Sequence, residues 1–139
     1  MTREPIYAAI FALVASSPAF ITTSRKLRHW SDVGPSEQPA LFQAQKRETA
    51  TQSTGKPTVW HGSLDLYVYV NTAGAVSPGT VLNPLLDAID AAFERHPARG
   101  PQTLGGLVQW CRIEGAIETS EGTLGDIEVA IIPIHFLTL

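Results

Sequence analysis

The stretch Thr58-Val59-Trp60-His61-Gly62-Ser63-Leu64-Asp65-Leu66-Tyr67-Val68-Tyr69-Val70 decides the fold. Trp60, Gly62, Leu64, Leu66, Val68 and Val70 fall on one side of an extended chain. Val59, His61, Ser63, Asp65, Tyr67 and Tyr69 fall on the other. The first side carries no polar side chain, so it requires a core to lie against. The second is amphipathic, and its two tyrosines, each with an apolar ring and a polar hydroxyl, suit a half-wet contact surface.

Upstream of this strand, residues 49–57 are polar, contain Gly55 and Pro57 and offer no core residue. They form the tip of a long hairpin whose other arm is a strand over residues 40–48. Residues 31–39, with Gly34, Pro35 and Pro39, are a loop by composition. Residues 20–30 alternate as a further strand, basic in its far half through Arg25, Lys26, Arg28 and His29. Ahead of it, Ile6, Ala9, Ile10, Leu13 and Val14 recur at helical spacing. The expected helix covers residues 4–16, with Thr2 as its cap, Pro5 in the first turn and Ser17-Pro18 as its stop. Tyr7 and Phe11 widen its apolar face.

Downstream, residues 71–78 are a loop. Leu82, Leu85, Leu86, Ile89 and Phe93 then form the stripe of a second helix over residues 80–95, with Asp87 and Asp90 outside. Pro97, Gly100 and Pro101 end it. Pro84 fits only in a first turn, or marks a later start capped by Asn83. Residues 107–118 and 127–137 are two more strands joined by the loop 119–126. The last, Ile127-Glu128-Val129-Ala130-Ile131-Ile132-Pro133-Ile134, is nearly all apolar and expects cover on both faces, by helices on one and a subunit on the other. Pro133 lacks a donor and points to a sheet edge or a bulge.

These segments add up to an α+β fold in the order αβββαββ. A mostly antiparallel sheet of about five strands carries two helices on one face, and long hairpins project from it. The chain's 139 residues are one domain's worth, residues 1–139. Charged residues are 17% of the chain, below the roughly 25% usual for soluble domains, which fits a surface partly covered by partners. The net charge of −3 argues against a protein that coats nucleic acid, since that takes many cations to displace phosphate counterions. The apolar run at residues 6–14 is too short to span a bilayer and lacks the flanks of an export signal. The expectation is a chain made in the cytoplasm with no membrane anchor.

Reactive groups are scattered. His29, His61, His96 and His135 form no HxH or HxxxH pair and have no cysteine nearby, so no metal or cofactor site is expected. His61 and Asp65 share a strand face, which a surface hydrogen bond explains as well as catalysis does. Glu114 and Glu118 have one strand parity and suit either an acid pair or a solvated face. No serine lies in a GxSxG elbow. Gly105-Gly106 precedes a strand, the reverse of a phosphate cradle. Cys111, the single cysteine, sits in an apolar run and is expected to be buried and inert. Arg25, Lys26, Arg28, His29 and Trp30 have the ingredients of nucleic-acid contact, but guard charges on a strand edge are the favoured reading. Strong strands, two amphipathic helices and polar hairpin tips describe an assembly subunit, with Tyr67, Tyr69 and Trp110 as exposed anchors. No catalytic centre is expected.

The linear order of several stretches resembles the tail terminator, or tail completion, proteins of long-tailed phages and related gene-transfer particles. They are Glu4-Pro5-Ile6-Tyr7; Arg28-His29-Trp30 with Val33 and Pro35; Glu37-Gln38-Pro39-Ala40-Leu41-Phe42; Asp65-Leu66-Tyr67-Val68-Tyr69-Val70; Leu82-Asn83-Pro84-Leu85-Leu86-Asp87-Ala88-Ile89; and Gly122-Thr123-Leu124-Gly125-Asp126 with Ile131-Ile132-Pro133-Ile134. The resemblance implies a virion protein that forms a hexameric ring at the head-proximal end of the tail tube. Such a ring stops tube polymerisation, meets the tail tube protein on one side and the head-side connector or stopper on the other, and lets DNA pass through its lumen without sequence-specific binding. It carries over no catalytic, metal or cofactor-binding residue. Two segments are candidates for ring or tube contact: the tip, with Glu48, Thr49, Thr51, Thr54 and Lys56, and the second hairpin loop, with Glu121, Leu124 and Asp126. Tyr67 and Tyr69 join them from the amphipathic strand face.

Three other readings stay open. One is another neck component. A second is a small α+β enzyme using His61 and Asp65, or the acidic residues near Glu114. The third is a ligand-binding module with an aromatic pocket around Trp60, Trp110 and Tyr67.

Overall fold

A computed structural model describes residues 1–17 and 19–139. Helix α1 covers Arg3–Ala15 and α2 covers Pro78–Phe93; strands β1 to β6 cover Thr22–Ser24, Ala40–Thr51, Val59–Asn71, Trp110–Ile113, Glu118–Thr119 and Ile127–Thr138. The fold is α+β, with the two helices on one face of a mostly antiparallel sheet. The sheet has six strands in the order β1-β2-β3-β6-β4, and β5 also pairs with β6. The helix stop expected at Pro18 lies outside the described residues.

Strand β3 obeys its alternation. Leu64, Leu66, Val68 and Val70 join Ala130, Ile132, Ile134 and Phe136 of β6 in one apolar cluster. Ile6, Tyr7, Ile10 and Val14 of α1 and Leu82, Leu85, Ile89 and Phe93 of α2 close it from above. Thr2 stands at the N-cap of α1 as expected, without a side-chain cap bond. Buried Gln43 ties β2 to α1 by donating its amide to the Tyr7 carbonyl, 3.0 Å away. Gly62 lies opposite Phe136 in the β3–β6 register. A Cβ at position 62 would lie 2.1 Å from the Phe136 Cζ, so here glycine is dictated by close approach of a side chain.

Five expectations need correction. The strand over residues 20–30 shrinks to Thr22–Ser24, which runs parallel to β2. The Ser24 hydroxyl accepts the Lys26 amide at 3.0 Å and turns the chain out of the ladder. The arm β2 continues to Thr51, with a register shift between Gln45 and Arg47, so the hairpin tip starts three residues later than composition suggests. Helix α2 begins at Pro78 and runs through Pro84. Pro84 and Thr80 are both exposed, so the carbonyl that loses a donor stays open to water and the usual interior penalty is relieved. The strand over residues 107–118 is split into β4 and β5, with Gly115 between them at φ 109°.

The split also corrects the expectation for Pro133. It lies in an interior strand, between β3 and β4, rather than at an edge. Its carbonyl accepts the Glu114 amide at 3.2 Å, so its missing donor points to the same side, toward the gap between β4 and β5. The ladder breaks where the proline cannot sustain it.

Glu128 sits on the helix side of β6 opposite Val70, 2% exposed, and its Oε2 has no hydrogen-bond partner among the described residues. Burial, and then the nearby Glu121, push its carboxyl above the ordinary value of 4.5. A raised folded-state value means that the folded chain holds this proton more tightly than the unfolded chain does. The associated stability is present below 4.5 and is lost as pH rises through the folded-state value. Glu128→Gln is therefore expected to raise the urea midpoint at pH 7, and the gain is expected to fade as pH falls and the native carboxyl takes up its proton. Urea melts of both proteins between pH 3.5 and 8 check this; equal midpoints at pH 7 would refute it.

Candidate functional site

The face of the sheet turned away from the helices divides into an apolar and a polar half. In the apolar half, Phe42, Tyr69 and Val129 pack with Ala40 and Val33, and Trp30, Tyr67, Leu124, Ile127 and Ile131 flank them. The segment after β1 straps over this half. It carries two short 3-10 turns, Trp30–Asp32 and Pro35–Glu37. Arg28 makes a bidentate pair with Glu37, at 2.9 and 3.2 Å, and donates to the Asp32 carbonyl at 2.6 Å. That pair holds the Glu37 carboxyl below its ordinary value. The Tyr69 hydroxyl donates to the Arg28 carbonyl at 2.7 Å.

The strap changes two expectations. Tyr69 is 3% exposed within its own chain, so it is not an exposed anchor; Tyr67 remains half-buried at the border. The cover expected from a subunit over the last strand is supplied only in part by the chain itself: Val33 and Trp30 cover it around Val129, while Ile127, Ile131 and Pro133 stay half-buried on that face. The basic cluster is also partly spent internally. Arg25 pairs with Glu4 of α1 and Arg28 with Glu37, which favours the non-nucleic-acid reading of these charges.

The contact candidates lie at the two ends of β3. At one end, Thr49 and Thr51 stand opposite His61 and Val59, and Thr54 and Lys56 are exposed in the turn beyond. Glu48 is drawn back toward the helices, because Arg3 donates to both its oxygens at 2.6 and 2.9 Å. The same guanidinium lies over the Trp60 ring at 5.0 Å. At the other end, the Asp126 carbonyl accepts the Thr72 amide at 2.7 Å, which fixes the loop carrying Glu121 and Leu124 beside the exit of β3. Glu121 is exposed, whereas Leu124 packs on the apolar half. From Val59 to Asn71 the strand spans roughly 40 Å, so the two segments occupy opposite poles. Exposed Val76, in the loop beside the second pole, was not singled out from the sequence; an apolar residue in a polar loop is a weak signal.

The polar half holds what the sequence left scattered. The His61 Nε2 and His135 Nδ1 atoms are 2.9 Å apart. Glu114 brings its Oε2 to 3.8 Å from the His135 Nδ1. Burial, followed by the neighbouring His61 ring, holds the His135 imidazolium below its ordinary value. Asp65 does not pair with His61. Four residues of strand separate them by roughly 13 Å, and Lys46 takes the Asp65 carboxylate at 3.5 Å. Glu114 and Glu118 are likewise parted by the break: Arg112 donates to Glu114 at 3.0 Å, while Glu118 stands opposite Ile131. The aromatic pocket does not form either. Trp60 lies on the helix side under Arg3, Trp110 stands edge-on to His61 with centroids 5.8 Å apart, and Tyr67 belongs to the apolar half. Cys111 is buried, and burial pushes its thiol up to about 12, as an inert core thiol requires.

Two helices over one face of a twisted sheet, with polar loops at both poles, define an α+β fold that recurs in solved structures. One with this fold is a chain of the virion of a native gene transfer agent particle, 10% identical, with a TM-score of 0.58 over 95% of this chain and 92% of that one. Another is 16% identical, with a TM-score of 0.56 over 100% of this chain and 97% of that one. No family model matches the sequence, and no curated protein does. Among the described residues no helix is long and apolar enough to cross a membrane.

Proposed function

We propose that this chain is a structural virion protein of the tail-terminator kind, acting without catalysis. Six copies form a ring at the head-proximal end of a tail tube, end its polymerisation and present the surface that joins the head-side connector. The observation that carries this reading is the end-to-end fold overlap with a gene-transfer-agent virion chain, 95% of one and 92% of the other. The order of the sequence stretches quoted above supports it independently.

The geometry suits the task. A ring subunit needs two different surfaces that meet on neighbouring copies, because a heterologous contact that closes yields a ring. A terminator also needs one surface for the tube and another for the connector. Poles some 40 Å apart on a stiff sheet keep those surfaces separate. The mechanism is differential binding: the ring fits the last tube layer and offers nothing on which another tube subunit can add. Six weak contacts acting together are sufficient for retention.

Deleting residues 50–55 tests the tip together with the last two residues of β2, Ala50 and Thr51. None of these residues is buried, so the deletion removes no core side chain. The shortened chain is expected to keep its melting temperature within a few degrees. Particle assembly is expected to fall at least roughly tenfold, since avidity around a ring multiplies each lost contact. Light scattering after size exclusion and infectivity or transfer titres are the readouts. Normal titres with a folded, shortened chain would refute the tip's role.

A further inference from the structure

We propose that His61, His135 and Glu114 bind one divalent cation of the zinc class, with a coordination position left open to the adjoining cavity. Their donor atoms all lie within 4.8 Å of one another. Donors about 2.0–2.2 Å from a tetrahedral cation stand roughly 3.2–3.6 Å apart. The observed 2.9 Å between the two ring nitrogens and 3.8 Å from His135 to Glu114 bracket that spacing. On binding, side-chain rotation brings the third donor in, and two metal bonds replace the His61–His135 hydrogen bond.

The ligands come from stiff elements. His61 sits on β3 and His135 on β6, paired strands in register, and Glu114 follows directly on β4. Their surroundings orient them. The Trp110 edge lies against the His61 ring, and the Arg112 guanidinium covers the Trp110 ring at 3.9 Å. Arg112 also holds Glu114 Oε1 at 3.0 Å, which leaves Oε2 to face the histidines. Support of this kind fixes ligand direction in metal sites. The cavity beside the two rings measures about 260 Å³ and is lined by Asp65, whose carboxylate pairs with Lys46, and by Arg47. It has room for a water, or for a donor from a bound partner, on the open position.

Donor chemistry selects the ion. Two imidazoles and one carboxylate suit Zn²⁺ and its late first-row neighbours, whereas Mg²⁺ and Ca²⁺ prefer all-oxygen sets. The cation would clasp β4 to the β3–β6 pair just where Pro133 interrupts the ladder.

Titration of chelator-stripped full chain with Zn²⁺, followed by calorimetry, is expected to give one equivalent per chain and a higher melting temperature. Co²⁺ is expected to give visible ligand-field absorption, and Mg²⁺ no heat. His61→Asn and His135→Asn are expected to weaken Zn²⁺ binding at least roughly a hundredfold, and Glu114→Gln at least roughly tenfold. Glu114 is only half-buried, so its variant tests the site even where a histidine variant unfolds. Absence of 1:1 binding by the folded wild type would overturn the proposal. So would binding that survives these substitutions and disappears in a His29→Asn, His96→Asn variant.

Discussion

Gly62→Val is expected to abolish stable folding, or to cost at least about 3 kcal/mol, a fall in Tm on the order of 10 °C. Gly62 faces the helices near the tip end of β3, and a Cβ there would lie 2.1–2.8 Å from three Phe136 ring carbons. That ring cannot retreat. The Tyr7 ring stands edge-on to it, with centroids 5.5 Å apart, and both residues are buried under α1. Strand β3 cannot retreat either, being paired on both sides along most of its length. The clash is specific, so it has a specific remedy. Phe136→Ala alone should cost about 3–5 kcal/mol through the cavity it leaves. Combined with Gly62→Ala, it should cost less than the sum of the single changes by at least about 1 kcal/mol. Denaturant melts of the four proteins in the cycle measure this coupling, and simple additivity would contradict the packing described.

Residues whose constraint is local could be read from the sequence, and residues whose constraint crosses the sheet could not. The alternation of β3 fixed its two faces, and the stripes of Ile6, Ile10 and Val14 and of Leu82, Leu85, Ile89 and Phe93 fixed the helices that cover one of them. Helix limits moved by one or two residues, as fraying ends do. The strand over residues 20–30 failed because alternation alone cannot see that the Ser24 hydroxyl accepts the Lys26 amide, or that Trp30 and Val33 beyond it pack back onto the sheet. The split of β4 from β5 has its cause some twenty residues away, in Pro133. Tyr69 looked exposed because the strap that buries it was divided between the expected strand, which took Trp30, and a loop by composition, which took Val33. The cluster of His61, Glu114 and His135 left no trace in spacing: the two histidines are 74 positions apart and meet only through the β3–β6 register. A motif search works along the chain, and this site is assembled across it. The poles fared better. Polar, glycine-bearing hairpin ends were visible in the composition, and the structure adds that they lie at opposite ends of one strand.

Under the tail-terminator role proposed above, loss of this chain is expected to have the largest biological effect. Tube subunits add to a growing end for as long as that end offers the surface they recognise. A ring that caps the end stops growth and supplies the only surface the connector fits. Without it, growth continues and joining fails together. A connector or stopper differs at this point, since its loss leaves tails of normal length unattached to heads. An enzyme or a small-ligand binder would change neither length nor attachment. Negative-stain electron microscopy of particles made without this chain therefore separates the readings in one image. Overlong tails without heads are the predicted result; tails of normal length would contradict a role in terminating the tube.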